Sequence, residues 1–155
     1  MKPQEFFDKY ATFAINEQIR SGVPASITLA QAALESGWGE SQLTKLANNF
    51  FGIKKGNNWN GETILMPTPW DSTPNSEFRK YDSPADSFKD HSEFLKTNSR
   101  YKSLFNTDNY INWANGLQLA QYAEAPNYGS SLIREIDLYG LHQYDLKASK
   151  KNSLS

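Results

Sequence analysis

Glu35 stands at the predicted end of a helix and is followed closely by Gly37, Trp38 and Gly39. The end of a helix collects unpaired carbonyl oxygens and the negative pole of the helix dipole. An apolar ring beside the carboxyl adds to the cost of ionising it, so we expect the pKa of Glu35 to be raised. A carboxyl group that stays protonated near neutral pH can act as a general acid. The structural alternative is an ordinary solvated glutamate on the surface.

The residues before Glu35 predict the helix that positions it. Pro24 suits the first helical position, and Gly37 suits the left-handed conformation that ends a helix. Apolar residues recur between them at helical spacing and predict one buried face, formed by Ile27, Ala30, Ala33 and Leu34.

Two other segments carry candidate site residues. Residues 48–54 combine two amides with two aromatic rings, including Asn49 and Phe51, and either line a site or form a turn over core aromatics. Tyr122 lies between the predicted end of one helix and the start of the next, where side chains commonly face a cleft. For a tyrosine at such a position, simple packing is the alternative.

Composition excludes several classes of function. The chain has no cysteine, which excludes disulfides and thiolate chemistry, and His91 and His142 lack the spacing of a metal site. We expect no metal and no cofactor. The net charge of −1 argues against a nucleic-acid partner. No apolar run approaches the ~20 residues of a membrane span, so we expect no membrane insertion, and we expect a monomer.

The pattern along the 155 residues predicts one mainly helical domain of the α+β class. Residues 1–145 form the domain, and residues 146–155 read as a flexible tail. Residues rich in Asn, Gly, Pro and Thr interrupt the helices and predict a small, irregular β lobe at about 50–81, with short strands at 51–54, 63–66 and 77–81. Helices are expected at about 3–21, from 83 through at least 95, at 109–121 and at 126–140.

The motifs together resemble bacterial and phage peptidoglycan hydrolases of the glucosaminidase type, glycoside hydrolase family 73, which includes flagellar muramidase domains and autolysins. Residues 30–39, AQAALESGWG, and 47–54, ANNFFGIK, carry the strongest resemblance. Later matches follow in order at 78–83, 90–95, 100–101 and 122–128, so the resemblance spans nearly the whole chain. It implies a lysozyme-like fold in which a helical lobe and a small β lobe flank a glycan groove.

The resemblance also implies roles for individual residues. Glu35 would be the general acid that protonates the leaving glycosidic oxygen, and Tyr122 would lie near the scissile bond. Further residues would bind the glycan along the groove, namely Trp38, Asn49, Phe51, Trp70 and Tyr128.

One segment departs from the family pattern. The family commonly carries a second glutamate in the β lobe, and Trp70 occupies that position here. Asp71 is the nearest replacement, and Glu62 and Glu77 are more distant candidates. Asp71 could activate water, or the substrate acetamido group could attack internally, or the domain could bind glycan without turnover.

The resulting expectation is an endo-β-N-acetylglucosaminidase that cleaves β-1,4 bonds of peptidoglycan. An N-acetylmuramidase and a non-catalytic peptidoglycan- or chitin-binding module are the alternatives. Such a substrate implies action in the periplasm, in the cell wall or after secretion, although the first residues, Met1 to Glu5, lack the apolar stretch of a signal peptide.

Overall fold

The fold is mainly helical with one small sheet, as predicted. The computed structural model describes residues 1–67 and 75–154, which form seven α-helices, a 3-10 helix and two strands. In chain order these are α1 (Pro3–Ser21), α2 (Ala25–Glu35), α3 (Gln42–Ala47), β1 (Thr63–Met66), β2 (Ser76–Arg79), α4 (Pro84–Thr97), the 3-10 helix (Ser99–Asn106), α5 (Tyr110–Leu119), α6 (Tyr128–Tyr139) and α7 (His142–Leu154).

Helix α2, which ends at Glu35, lies at the centre of the helical lobe. It contacts α1, α5, α6 and α7, and its residues from Ala25 to Ala33 are all buried. Small and apolar side chains on every face allow this close packing. The sequence predicted one buried face, whereas neighbours surround the helix on all sides. Pro24 is the N-cap rather than the first helical residue, so the helix begins one residue later than predicted.

The predicted flexible tail is wrong, because residues 146–154 continue helix α7. Ala148 is only 1% exposed, and the helix packs against α1 and α2. The carboxylate of Asp145 accepts hydrogen bonds from the backbone N–H of Ser26 at 2.7 Å and from its hydroxyl at 2.6 Å. A negative group at this position satisfies the first turn of α2 and faces the positive pole of its dipole. Helix α7 therefore anchors the start of the helix that carries Glu35.

Aromatic side chains fill the space between α1 and its neighbours. The ring of Tyr10 contacts Phe6 and Phe50 and stacks on Phe88 of α4, with centroids 5.8 Å apart. Helix α4 begins as predicted, with the Ser83 hydroxyl accepting from the backbone N–H three residues on. Among the helices of the described residues, none is long and apolar enough to cross a membrane.

The β lobe is smaller than predicted. Strands β1 and β2 pair antiparallel, with Thr63 opposite Arg79 and Met66 opposite Ser76. The segment expected as a third strand, 51–54, contributes only an isolated bridge from Lys54 to Phe78. The predicted site residues Trp70 and Asp71 lie outside the described residues.

His91 of α4 is completely buried in the core. Its Nε2 lies 2.8 Å from the Oε1 of Gln31 on α2, and its ring stacks on Phe51 with centroids 3.9 Å apart. Burial lowers the pKa of His91 from 6.5 to about 3. The histidine is therefore neutral in the folded protein at physiological pH.

The contact between Asp145 and Ser26 should contribute strongly to stability. Asp145→Ala leaves the buried N–H and hydroxyl of Ser26 without an acceptor, and we expect a loss of about 3 kcal/mol in the free energy of unfolding. Urea unfolding at neutral pH measures this. Asp8→Ala, which removes an exposed carboxylate bonded to Gln4, is the matched control and should change stability by less than about 0.5 kcal/mol. Equal effects of the two variants would contradict the anchoring role.

Buried, neutral His91 should make the fold sensitive to acid. Between its unfolded pKa of 6.5 and its folded pKa of about 3, the unfolded chain binds a proton that the folded chain does not. Stability should therefore fall with decreasing pH, and His91 should contribute about 1.4 kcal/mol per pH unit. His91→Gln removes this titrating group. The free energy of unfolding of the variant should therefore change less steeply with pH than that of the unmodified protein, by the contribution of His91. Parallel curves for the two proteins would refute this contribution.

Candidate active site

Glu35 is placed by a left-handed turn at the end of α2. Gly37 has φ +56° and the backbone N–H of Trp38 donates to the carbonyl of Ala33 at 2.9 Å, which closes the helix. Trp38 itself has φ +60°, and its ring packs against Phe6, Phe7 and Tyr139. The structure thus gives Trp38 a packing position behind the turn, where it holds the end of the helix in place.

A cavity of about 830 Å³ surrounds the Glu35 side chain. This volume lies within the usual range for sites that bind small molecules and sugars. Its walls come from the end of α2, the segment after α3, strand β2, helix α4, the 3-10 helix and the α5–α6 connection. The lining residues are Glu35, Phe51, Gly52, Ile53, Lys54, Gly56, Arg79, Phe94, Arg100, Tyr101, Tyr122, Ala123 and Glu124.

The segment after α3 is shaped by Asn49, which is buried beneath it. The Nδ2 group of Asn49 donates to the carbonyls of Ile53 and Arg79 at 3.0 and 2.9 Å, and its Oδ1 accepts from the N–H groups of Phe51 and Ile53. All the polar groups of this amide are engaged by the backbone. The structure therefore places Asn49 as the internal support of the cavity wall, whereas Phe51 contributes directly to the lining.

Gly52 brings this wall close to Glu35. It adopts φ +66°, and a Cβ atom there would lie 3.8 Å from the Oε2 of Glu35. The left-handed backbone favours glycine, whereas the distance to Glu35 is that of an ordinary van der Waals contact. The absent side chain leaves room beside the carboxyl group.

Tyr122 is presented to the cavity by the end of α5. The N–H of Tyr122 donates to the carbonyl of Leu117, and that of Gln121, which has φ +59°, donates to the carbonyl of Gln118. This pair of bonds is the Schellman arrangement that ends helices. Burial, and then the negative charge of Glu35, raise the pKa of Tyr122 well above its usual value. The hydroxyl is therefore a hydrogen-bond donor throughout the physiological range.

Tyr128, the first residue of α6, lies behind Tyr122 and is buried. The two rings stack with centroids 5.7 Å apart, and the Tyr128 hydroxyl accepts a hydrogen bond from Gln31 Nε2 at 2.9 Å. Tyr128 is absent from the residues that line the cavity. Its hydroxyl interacts with the carboxyl of Glu35 from the protein side.

The environment of Glu35 raises its pKa, in the direction that the sequence predicted. Burial among the cavity walls is the main cause, and the hydrogen-bonding interaction with Tyr128 partly opposes it. The carboxyl group is still open to solvent through the mouth of the cavity. The ring of Trp38, which the sequence placed beside this carboxyl, packs against Phe6, Phe7 and Tyr139.

Glu62 and Glu77, the carboxylates named from the sequence that the structure describes, do not line the Glu35 cavity. Glu77 accepts a hydrogen bond from Thr63 at 2.7 Å on the surface of the sheet, and Glu62 lines a separate cavity beside Trp59. Glu124, which the sequence analysis did not consider, does line the Glu35 cavity. The sequence could have indicated Glu124 as a site residue, because it stands two residues after the candidate Tyr122.

Two further cavities adjoin that of Glu35. One shares Gly56, Arg79 and Phe94 with it, and the other shares Arg100, Ala123 and Glu124. The three form an extended groove, and Glu35 lines the cavity that adjoins both of the others. Among residues 1–67 and 75–154, no group of three or more histidine, aspartate or glutamate side chains could hold a metal ion.

Comparisons with known proteins agree with this geometry. The family model described as "Glucosaminidase: Mannosyl-glycoprotein endo-beta-N-acetylglucosaminidase" matches residues 11–141. The exo-glucosaminidase LytG of Bacillus subtilis is 35% identical over 92% of this chain, and an autolysin of Enterococcus faecalis is 35% identical over 97% of it. The chain spans 53% of the first relative and 22% of the second.

A solved structure shows the same fold. The catalytic domain of the autolysin Auto from Listeria monocytogenes is 34% identical and superposes with a TM-score of 0.81, covering 92% of this chain and 86% of that one. The residues matched by the family model include the segment that carries Glu35. The chain therefore belongs to the glucosaminidase family of glycoside hydrolases.

Proposed function

We propose that this domain hydrolyses β-1,4 glycosidic bonds of peptidoglycan after N-acetylglucosamine, with Glu35 as the general acid. The observation that carries the proposal is the position of Glu35, whose pKa is raised, in the cavity that two further cavities of the groove adjoin. Relatives named as an exo-glucosaminidase and an autolysin support the substrate. Peptidoglycan as substrate places the site of action outside the cytoplasm, and we propose that the domain acts there as a monomer.

The first step is proton transfer to the leaving oxygen. Protonated Glu35 donates to the glycosidic oxygen as the bond from that oxygen to the anomeric carbon breaks, and positive charge develops on the sugar ring. Tyr122 stands beside Glu35 with its hydroxyl protonated, so it can donate a hydrogen bond to the substrate. Phe51 and Tyr101 provide aromatic surface along the same wall.

The second step needs a nucleophile at the anomeric carbon. In our first account Asp71 removes a proton from an attacking water, which requires its carboxyl to lie roughly 6.5–9.5 Å from that of Glu35. In the second, the acetamido oxygen of the substrate attacks the anomeric carbon, and water then opens the ring so formed. Tyr122 would position the acetamido group in that case.

The groove favours cleavage inside a glycan chain. Cavities adjoin the Glu35 cavity along two different parts of its wall, so sugars could be held on both sides of the scissile bond. Phe94 and Arg79 continue into one of them, and Arg100 and Glu124 into the other. We therefore propose endo rather than exo cleavage.

Glu35→Gln should lower the rate of peptidoglycan cleavage by about 1000-fold or more, because an amide cannot supply the proton. The measurement is digestion of purified peptidoglycan, borohydride reduction and mass spectrometry of the fragments. The unmodified protein should leave reduced N-acetylglucosamine at the new ends, in fragments of several sizes. Reduced N-acetylmuramic acid would instead indicate a muramidase, anhydro ends a lytic transglycosylase, and single terminal units an exo-enzyme. Glu5→Gln, an exposed change on α1, is the control, and full activity of Glu35→Gln would refute the acid assignment.

Asp71→Asn should reduce the rate by about 100-fold or more if its carboxylate activates water. Glu124→Gln tests the carboxyl that lines the cavity, and Glu77→Gln, on the outer surface of the sheet, is the matched control. Near-normal cleavage by Asp71→Asn would remove Asp71 from the mechanism. Cleavage of a substrate analogue that lacks the acetamido carbonyl would then show whether that group supplies the nucleophile.

A further inference from the structure

A row of buried polar groups runs from the core to the carboxyl of Glu35. His91 contacts Gln31 at 2.8 Å, Gln31 contacts the Tyr128 hydroxyl at 2.9 Å, and that hydroxyl interacts with Glu35. The three supporting side chains are nearly or fully buried and lie outside the cavity lining. Phe51 covers His91. We call His91, Gln31 and Tyr128 the polar row.

In each hydrogen bond of the polar row, the donor lies on the His91 side and the acceptor on the Glu35 side. Gln31 Oε1 can only accept, so the His91 Nε2 facing it must carry the proton of the neutral ring. The Nδ1 of His91 has no hydrogen-bond partner among the described residues. A buried lone pair without a partner costs less than a buried N–H without one, which independently favours the proton on Nε2.

Gln31 and Tyr128 keep the same order of donor and acceptor. With its oxygen held by His91, Gln31 presents its NH₂ group to the Tyr128 hydroxyl oxygen. That oxygen accepts from Gln31, so its own proton is free to be donated elsewhere. Glu35 lies one helical turn after Gln31 on the same face of α2, and we assign its carboxyl as the acceptor of that proton.

We propose that His91 and Gln31 are positioning residues that fix the Tyr128 hydroxyl as a hydrogen-bond donor to Glu35. This inference rests on the proposed role of Glu35 as the general acid. The opposite orientation of the Gln31 amide would let Tyr128 donate to Gln31 instead, and Glu35 would lose its donor. The tautomer of His91 thus determines whether the carboxyl of Glu35 receives a hydrogen bond from Tyr128.

The donor matters most when Glu35 loses its proton. Once the proton has passed to the leaving oxygen, Glu35 is a carboxylate, and a hydrogen bond from Tyr128 to it is charge-assisted and stronger. An interaction that strengthens along the reaction lowers the barrier. Tyr128 thereby limits the rise in the pKa of Glu35 that burial causes, so the acid stays protonated yet can still release its proton.

Other charges also face Glu35 and must be held constant in any test. Lys54 comes from the segment after α3, Arg79 from β2, Arg100 from the 3-10 helix, and Glu124 from the α5–α6 connection. Tyr122 and Tyr101 complete the titratable groups of the lining. None of these residues is changed in the variants below.

The first experiment is nitrogen NMR of the unmodified protein, which reads the His91 tautomer directly. We expect a neutral ring with the proton on Nε2. A proton on Nδ1 would overturn the proposal, because Gln31 would then have to donate to His91 and accept from Tyr128. This test requires neither a variant nor turnover.

The second experiment follows the Glu35 carboxyl by carbon NMR as the pH is changed, with the resonance assigned from its loss in Glu35→Gln. Tyr128→Phe removes the donor and should raise the pKa of Glu35. His91→Met frees Gln31 to turn and should raise it by no more than Tyr128→Phe does. His91→Gln keeps an N–H donor near the position of Nε2 and should leave it unchanged, as should Tyr110→Phe, which removes a hydroxyl bonded to Asp137 on the surface.

Peptidoglycan cleavage gives the matching kinetic result. The alkaline limb of kcat/KM follows loss of the Glu35 proton, so it should move to higher pH in Tyr128→Phe and His91→Met, while their rate at low pH falls. A loss of stability alone would lower the rate without moving the limb. Folded Tyr128→Phe or His91→Met protein with an unchanged Glu35 pKa would overturn the proposal. Activity retained by Glu35→Gln would refute the acid assignment separately, because the carboxyl titration does not depend on turnover.

Discussion

The burial of helix α2 from Ala25 to Ala33 is the constraint on which the rest of this structure depends. A buried helix needs partners for the polar groups at both of its ends. Asp145 of α7 accepts from Ser26 at the beginning, and the left-handed turn at Gly37 closes the end. Glu35 is the last helical residue, so both arrangements determine where its carboxyl lies. The packing of α1, α5, α6 and α7 around α2 therefore determines the position of the Glu35 carboxyl.

The groove wall is built on the same principle, with buried polar groups supporting an irregular backbone. The side-chain amide of Asn49 hydrogen-bonds the backbone of Ile53 and of Arg79, in place of the inter-strand hydrogen bonds of a regular sheet. Arg79 adds hydrogen bonds to the carbonyl of Lys54 and to Asp90, and it lies against the ring of Trp59. This irregular segment places Gly52, in a left-handed conformation, beside the carboxyl of Glu35.

The acid chemistry follows from a balance between two environments. On the groove side, burial disfavours the ionised form of Glu35, which keeps a proton available. On the core side, the Tyr128 hydroxyl favours the ionised form, which lets the proton leave. Both tyrosines near Glu35 hold raised pKa values through burial, so they serve as donors and do not compete with Glu35 in titration.

The sequence by itself determined helices α1, α2, α4, α5 and α6, two short strands and the position of Glu35 at a helix end, because caps, glycines and periodicity act locally. It also pointed to Tyr122, since the end of a helix is a local signal. Only the tertiary structure decided that Trp38 and Asn49 support the site from behind, that α7 continues past Asp145, and that His91 lies two contacts from Tyr128. These outcomes depend on contacts between residues 30 to 119 positions apart in the chain, and no local pattern encodes such a meeting.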